Sequence, residues 1–263
     1  LQDELVALCH ELGIVAAGPN GQGVVSPPVG MCAQIVGPNP PAGRIAVASQ
    51  SGNLVSSFLN YAVQTGIGIS RAVSAGNAAM LGVGDYLEWY STDPATAVGL
   101  AYVEGVEDGR KLADQLRVAT RHKPMVLLKG GVSSDGQKAA ASHTGSLATD
   151  DAVFDGVCRQ VGANRAADVE EAFDAAATFA TQPLPKGNRV VVVTTAGGWG
   201  VMTADAIASS SLELATLPPD LYQAVDDLLP PRWSRNNPID LAGGETRDTV
   251  PQILELVASH PDT

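Results

Sequence analysis

A chain of 263 residues, 45% of them apolar and only 5% aromatic, is long enough for one large or two modest domains with proper cores. Its 28 acidic against 16 basic residues, a formal charge of −12, argue against nucleic acid or an anionic membrane as the main partner. Phosphate ligands stay open, because helix N-termini bind anions without Lys or Arg. Cys9, Cys32 and Cys158 are odd in number, far apart and outside any CxxC pair, which speaks against a disulfide framework or a metal site and for a reducing cytoplasm. The N-terminal residues lack the basic stretch and apolar core of a signal peptide, and the longest apolar runs are strand-sized.

In chain order, Leu5, Leu8 and Leu12 at helical spacing predict a first helix, followed by a short strand over Ile14–Ala17. One such αβ unit cannot bury its own faces, so it reads as the tail of a larger domain. Residues 18–43, rich in Gly and Pro, read as a linker or a long binding loop. Strands are then expected at Ile45–Ala48, Ile69–Val73, Val98–Val103 and Met125–Lys129, alternating with helices Leu54–Gln64, Val83–Tyr90 and Gly109–Arg121. Near-continuous apolar strands between amphipathic helices mean a parallel sheet covered on both faces. After a polar loop over residues 131–149 come helices Ala152–Val161 and Val169–Thr181.

The run Pro183-Leu184-Pro185-Lys186-Gly187 marks a boundary. A second α/β series follows: a strand Arg189–Thr194, a helix from about Gly200 to Ser209, a short strand near Leu214, a helix Asp220–Leu228, a strand end at Asn237–Leu241 and a helix Val250–Ser259. About three βα repeats is fewer than a complete flavodoxin-like sheet holds, so this unit is expected to be incomplete.

Four clusters carry candidate chemistry, three of them at strand-to-helix turns, where open α/β sheets bind ligands. Ser49, Gln50, Ser51 and Gly52 follow the first strand of the series: small residues let backbone N–H groups approach an anion, and the hydroxyls add donors. A plain serine cap on a core helix explains the same residues. Ala196, Gly197, Gly198 and Gly200 stand at the equivalent turn of the second unit, as an anion cradle or merely a tight turn. His143, in Ser142-His143-Thr144-Gly145-Ser146-Leu147, lies in a polar loop, where an imidazole is a competent nucleophile and phosphoryl carrier near pH 7; a surface histidine of no consequence is the plainer alternative. Glu104, in Tyr102-Val103-Glu104-Gly105, ends the third strand, as a partner for that imidazole or as an ordinary capping carboxylate. His10, His122 and His260 sit among charged residues on helices and fit a surface role.

In this order the motifs resemble the ADP- or NDP-forming acyl-CoA synthetases, the superfamily that includes succinyl-CoA synthetase. Gly18-Pro19-Asn20 followed by Gly23 looks like the end of their CoA-binding Rossmann domain, and Ser74-Ala75-Gly76-Asn77 like their SxGN stretch near the acyl site. Asp93-Pro94-Ala95-Thr96 with Tyr102-Val103-Glu104-Gly105 matches their DPxT…YxEG segment, residues 142–147 their SHTGSL loop, and Asn237-Pro238-Ile239-Asp240-Leu241 their NPxDL segment. The likeness runs the whole length of the chain.

The resemblance implies a tail of a CoA-binding Rossmann domain with linker over residues 1–40, a flavodoxin-like domain over 41–185 and a second, incomplete one over 186–263. It implies His143 as phosphoryl carrier and Glu104 as its partner. Ser49, Gln50, Ser51, Gly52, Ala196, Gly197, Gly198 and Gly200 would hold phosphate, and Asn20, Ser74, Gly76 and Asn77 would bind CoA and the acyl group. The substrates would be acyl-CoA, a carboxylic acid and phosphate, with ATP or ADP and Mg held by a separate ATP-grasp domain or subunit; homo-oligomers are compatible with it. Two alternatives stand beside this reading: the ligand-sensing, synthetase-like region of a protein lysine acetyltransferase, and a flavodoxin-like flavin or nucleotide binder.

Overall fold

The computed structural model describes residues 1–35, 37–138, 150–241, 243 and 248–263. The chain divides into two compact units, Leu1–Pro183 and Leu184–Thr263.

The first unit is built on a seven-stranded sheet of order β2-β1-β4-β3-β5-β6-β7. Strands β3 (Ala42–Ser49), β4 (Ile69–Ser74), β5 (Val98–Val103), β6 (Met125–Lys129) and β7 (Asn164–Ala166) are parallel. Their side chains alternate between two cores, as strand pleating requires. Ile45, Val47, Leu100 and Val126 face helices α2 (Gly52–Thr65) and α6 (Val169–Thr181), where Phe58 and Phe173 are fully buried. Ala46, Ala48, Ala101 and Leu127 face α3 (Val83–Thr92), α4 (Gly109–Thr120) and α5 (Asp151–Val161), burying Leu87, Tyr90, Leu116 and Phe154. Helices thus cover both faces of a largely parallel sheet, an α/β fold of the expected class.

Two expectations give way here. Residues 14–17 form no strand, and Ile14 and Val15 are exposed beyond the end of α1 (Gln2–Leu12). The supposed linker holds a hairpin, β1 (Gly23–Ser26) and β2 (Met31–Gln34), joined by the 3-10 turn Pro27–Val29. Val24 and Val25 pair antiparallel with Val73 and Ala72, so the hairpin extends the main sheet beyond β4. Gly23, at φ 120°, is needed there because any Cβ would strike the Ala33 carbonyl.

The Asp93-Pro94-Ala95-Thr96 segment precedes β5 and ties its start to β4. Its Asp93 carboxylate accepts from Thr96 Oγ1 at 2.9 Å and the Ala95 N–H at 3.2 Å, and pairs with Arg71 at 3.4 Å.

In the second unit the expected strand Arg189–Thr194 is broken into β8 (Arg189–Val190) and β9 (Val193–Thr194). β8 pairs in parallel with β10 (Glu213–Leu214), and β9 with β11 (Ile239–Asp240). The cause is one side chain: Asn237 Nδ2 donates to the Val190 and Ala215 carbonyls (2.7 and 2.9 Å), and its Oδ1 accepts the Val192 N–H at 2.9 Å. An amide side chain replaces backbone pairing at the break. Helices α7 (Gly197–Ala208), α8 (Pro219–Leu228) and α9 (Thr249–Ser259) complete the unit, whose core gathers Leu221, Val225, Trp233, Ile239 and Ile253. Asn237→Ala removes three hydrogen bonds and leaves the Val192 N–H and the Ala215 carbonyl without these partners, while the Val190 carbonyl keeps the Ala215 N–H; it is expected to destabilise this unit by roughly 2–4 kcal/mol, read from urea unfolding followed by tryptophan fluorescence.

Candidate active site

Because β3 to β6 are parallel, their carboxyl ends share one edge of the sheet. The chain leaves β3 through α2 to reach β4 on one side, then crosses through α3 to β5 on the other. The crevice between the ends of β3 and β5 is therefore the topological switch point, the usual ligand site of an open α/β sheet.

Ser49, Gln50, Ser51 and Gly52 form one lip of this crevice. The buried Ser49 hydroxyl accepts the Ser51 N–H at 3.0 Å and donates to the Ser51 carbonyl at 2.7 Å, closing the turn into α2. Ser51 occupies the N-cap position without a side-chain capping bond, so the first N–H groups of α2 have no side-chain acceptor from it. Gln22, which the sequence did not single out, lies over this turn: it donates to Asn53 Oδ1 (3.2 Å) and accepts from Ser56 Oγ (2.8 Å), against Gly52, where a Cβ would meet its Cδ at 2.6 Å.

Gln50 points across the crevice rather than into it. Its Oε1 accepts the backbone N–H groups of Glu104 (2.6 Å) and Gly105 (3.1 Å), and its Nε2 donates to the Gly105 carbonyl at 2.9 Å. The backbone adds Gln50 N–H to Tyr102 carbonyl at 3.2 Å. The Gln50 side chain therefore clasps the turn that carries Glu104, and these bonds occupy the polar atoms that the sequence reading aimed at phosphate. Glu104 itself is 8% exposed. Tyr102 hydrogen-bonds it, and burial first, then the Glu104 charge and that bond, push the phenol well above its ordinary value. Gly130, the first residue after β6, packs against both: an added Cβ would collide with Tyr102 Oη and lie 3.4 Å from Glu104 Cγ.

Lys129, which the sequence reading left unremarked, is buried at the end of β6. Its ammonium donates to the carbonyls of Gly130 (3.1 Å) and Gly131 (3.3 Å), lies 4.0 Å from Asp151 Oδ1 and stacks 5.9 Å from the Phe154 ring centre. Burial pushes it below its ordinary value, against the pull of Asp151. Arg165 holds the same Asp151 at 2.5 Å and Asp155 at 3.3 Å. Residues 142–147, His143 among them, lie outside the described residues.

Asn20, Gly76 and Asn77 come together at the end of β4. Asn20 Nδ2 donates to Asn77 Oδ1 at 3.2 Å, and the Asn77 and Ala79 N–H groups donate to the Pro19 and Gly18 carbonyls (2.9 and 3.0 Å). Gly76, at φ 55°, has no room for a Cβ against the Pro19 carbonyl. All three line a cavity of about 280 Å³ that runs back to Asp85, Lys111 and Gln115. Ser74 does not line it: its buried hydroxyl finds no partner among the described residues. At the cavity's far end Asp85 accepts from Lys111 (2.9 Å), Gln115 (2.7 Å) and the Gly82 N–H (2.8 Å). Burial raises Asp85, but the bonds from Lys111, Gly82 and Gln115 outweigh it and hold the carboxyl below its ordinary value.

In the second unit Thr194 repeats what Ser49 does. Its Oγ1 accepts the Ala196 N–H at 3.0 Å and donates to the Ala196 carbonyl at 2.9 Å, and Ala196 caps α7 without a side-chain bond. Gly198 is exposed and open, whereas Gly200 is buried against Thr194 and Pro238. Asp240, absent from the sequence-based set, adjoins Gly197, where a Cβ would lie 2.6 Å from its carboxylate. No group of three or more His, Cys, Asp or Glu side chains suited to a metal occurs among the described residues. Nor is any described helix long and apolar enough to cross a membrane.

A largely parallel sheet covered by helices on both faces, with polar turns at its switch point, defines a flavodoxin-like α/β domain. Residues 42–179 match the succinyl-CoA ligase like flavodoxin domain, and residues 190–262 match the Ligase-CoA domain. The chain belongs to the NDP-forming acyl-CoA synthetase family through this succinyl-CoA ligase like flavodoxin domain. It is 36% identical to the ADP-forming acetate–CoA ligase I of Archaeoglobus fulgidus, over 98% of this chain and 37% of that one. It is 35% identical to the alpha subunit of the ADP-forming acetate–CoA ligase II of Pyrococcus furiosus, over 99% of this chain and 57% of that one. Among solved structures, the dinucleotide forming acetyl-coenzyme A synthetase 1 of Ca. Korarchaeum cryptofilum, in complex with phosphate and ADP, superposes with a TM-score of 0.94 at 35% identity, covering 100% of this chain and 57% of that chain. The chain thus spans between about a third and three fifths of the relatives it matches.

Two outcomes test this geometry. Gln50→Leu leaves two backbone N–H groups and a carbonyl without partners and is expected to lower stability by roughly 2–3 kcal/mol in urea titrations. For Asp85, the depressed carboxyl stabilises the fold above its unfolded value, and that share disappears as pH falls through the folded value. Asp85→Asn should therefore lower the melting temperature near neutrality, with the difference from wild type closing as pH falls below the ordinary carboxylate range in thermal scans.

Proposed function

We propose that this chain forms the phosphoryl-transfer core of an NDP-forming acyl-CoA synthetase, with His143 as the carrier. Phosphate attacks the thioester carbonyl of acyl-CoA, releasing the CoA thiol and leaving acyl phosphate. The His143 imidazole then takes the phosphoryl group, releasing the carboxylate. Finally an NDP, with Mg on an ATP-grasp domain or subunit, takes the group from the histidine and becomes NTP. The relative named as an alpha subunit supports the need for such a partner.

The observation that carries this reading is the placement of Glu104. It is buried at the switch point, clasped by Gln50, and packed against Gly130, from which the chain continues into the segment containing His143. A carboxylate fixed there is suited to orient an imidazole and to stabilise its cationic form as phosphoryl arrives. The uncapped start of α2 with the Ser51 hydroxyl, and the start of α7, supply N–H donors for phosphate. At the latter, the Asp240 carboxylate opposes an anion at Gly197 and the Trp199 and Gly200 N–H groups bond the Ala196 carbonyl, so the Gly198 N–H takes the larger share. Asn20, Gly76 and Asn77 line the cavity suited to the acyl and thiol end of CoA. Phosphoryl transfer relies on positioning and charge stabilisation above all, and a fixed carboxylate beside the N–H donors at the start of α2 is suited to both. CoA, NDP and inorganic phosphate as substrates fit a cytoplasmic enzyme.

In the complete enzyme, labelled phosphate with acyl-CoA is expected to give an acid-labile, base-stable phosphoprotein that His143→Ala does not form; normal labelling of that variant would remove His143 from the mechanism. Glu104→Gln is expected to slow labelling by roughly 10²-fold with the fold retained, measured by quenched-flow labelling beside thermal scans. A wild-type enzyme that takes up no label would favour the ligand-sensing alternative.

A further inference from the structure

The cavity that Asn20, Gly76 and Asn77 line extends along α4. Asp108, Lys111, Leu112 and Gln115 also line it, and their spacing puts them on one face of that helix and its cap, over two turns or about 10 Å. At roughly 30 Å³ for a group the size of water, its 280 Å³ holds about nine such groups. The sulfur, carbonyl carbon and carbonyl oxygen of a thioester occupy about a third of that, which leaves space for several carbons. Much of the wall is apolar: Ala78, Met80, Val83, Val106 and Leu112 line it, and Val83 belongs to the buried core beneath α3 and α4. The charged side chains among the described lining residues are Asp85, Glu107, Asp108 and Lys111. Both Asp85 oxygens accept from Lys111, at 2.9 and 3.1 Å, and each takes a further bond, from Gln115 (2.7 Å) and the Gly82 N–H (2.8 Å). The ammonium is thus committed to one carboxylate, and Glu107 and Asp108 leave this lining negative.

We propose that this cavity selects acyl groups longer than acetyl and uncharged at their far end, a butyryl group over an acetyl or a succinyl group, with Leu112 setting the length and Glu107 rejecting a terminal carboxylate. The inference rests on the reading of this cavity as the acyl site. An acetyl group would leave most of the apolar wall facing water, whereas each further methylene laid against it is worth about tenfold in kcat/KM. A terminal carboxylate would lose its hydration between apolar walls and stand near Glu107 and Asp108. Drawing Lys111 towards itself would strand Asp85, whose bonds hold the starts of α3 and α4 together.

The test uses the complete enzyme with acetyl-CoA, butyryl-CoA, hexanoyl-CoA and succinyl-CoA. Wild type is expected to show kcat/KM for butyryl-CoA about tenfold or more above those for acetyl-CoA and succinyl-CoA. Leu112→Trp, which shortens the cavity, should lower the butyryl-to-acetyl ratio about tenfold, and Leu112→Ala should raise the hexanoyl-to-butyryl ratio about threefold. A residue that served stability alone would lower all substrates together and leave these ratios in place. Glu107→Lys should raise the succinyl-to-butyryl ratio about threefold at low ionic strength, with the gain shrinking as salt is added. Should Leu112→Trp not fold, Val106→Phe replaces it under the same criterion. A wild-type preference for acetyl-CoA or succinyl-CoA, or ratios that stay at their wild-type values in the Leu112 and Glu107 variants, overturns the proposal. A wild-type enzyme that turns over none of the four would instead defeat the synthetase reading. Hydrogen exchange then decides the cavity by itself: protection of residues 82–85 and 109–115 by butyryl-CoA beyond that given by CoA alone upholds it as an acyl pocket, and equal protection overturns it.

Discussion

The candidate site depends on one amide side chain. Gln50 leaves the end of the central strand β3, crosses the switch-point crevice and takes two N–H groups and one carbonyl from the turn after β5. Neighbouring parallel strands are joined along their length by the backbone ladder, but the turns beyond their carboxyl ends are not. Without this clasp Glu104 would ride on a free loop. With it, the carboxylate is held in register with the sheet, and the phenol of Tyr102 and the bare backbone of Gly130 close around it. In the role proposed for Glu104 a side chain has to be held firmly, and here the stiffness comes from a neighbouring strand.

The two units share a local device. In each, a hydroxyl residue ends a parallel strand, accepts the N–H and donates to the carbonyl of the residue two positions on, and hands the chain to a helix whose cap residue makes no side-chain bond. The hydroxyl satisfies the turn's own backbone, which spares the helix N–H groups for something else. The device recurs at Ser49 and Thr194, although in the second the Trp199 N–H already bonds the Ala196 carbonyl and an aspartate lies beside the turn.

Much of this fold was legible because buried parallel strands are apolar without interruption and the helices between them are periodic; β5 and α6 fall on the expected residues. The misreadings share a cause, since each involves a contact between residues distant in sequence. Four-residue strands set among Gly and Pro carry too little pattern to announce the β1–β2 hairpin, whose existence depends on the free edge of β4. The apolar run at 189–194 looks continuous, and only Asn237, more than forty residues on, reveals the break. In the site, polar residues at strand ends were read as ligands: Gln50 was assigned to phosphate because nothing in the sequence shows that Glu104 and Gly105 lie across from it. Lys129 was passed over as the last letter of an apolar strand, where a lysine reads as solvent-facing. Asn20, Gly76 and Asn77 were legible as a group only through motif resemblance, and the structure does bring them together.

The hairpin has a consequence for how the protein keeps to itself. A parallel sheet ending on β4 would present a row of unpaired backbone N–H and C=O groups from Ile69 to Ser74, a template on which a second chain could add a strand. β1 covers part of that template, and β2 then becomes the outermost strand, four residues long and held to the protein on one side only. The opposite margin, β7, is shorter still at three residues. Both borders of the sheet thus offer too little ladder to seed intermolecular pairing, and the Gly/Pro-rich stretch that looks like spacer in the sequence works as a guard against aggregation.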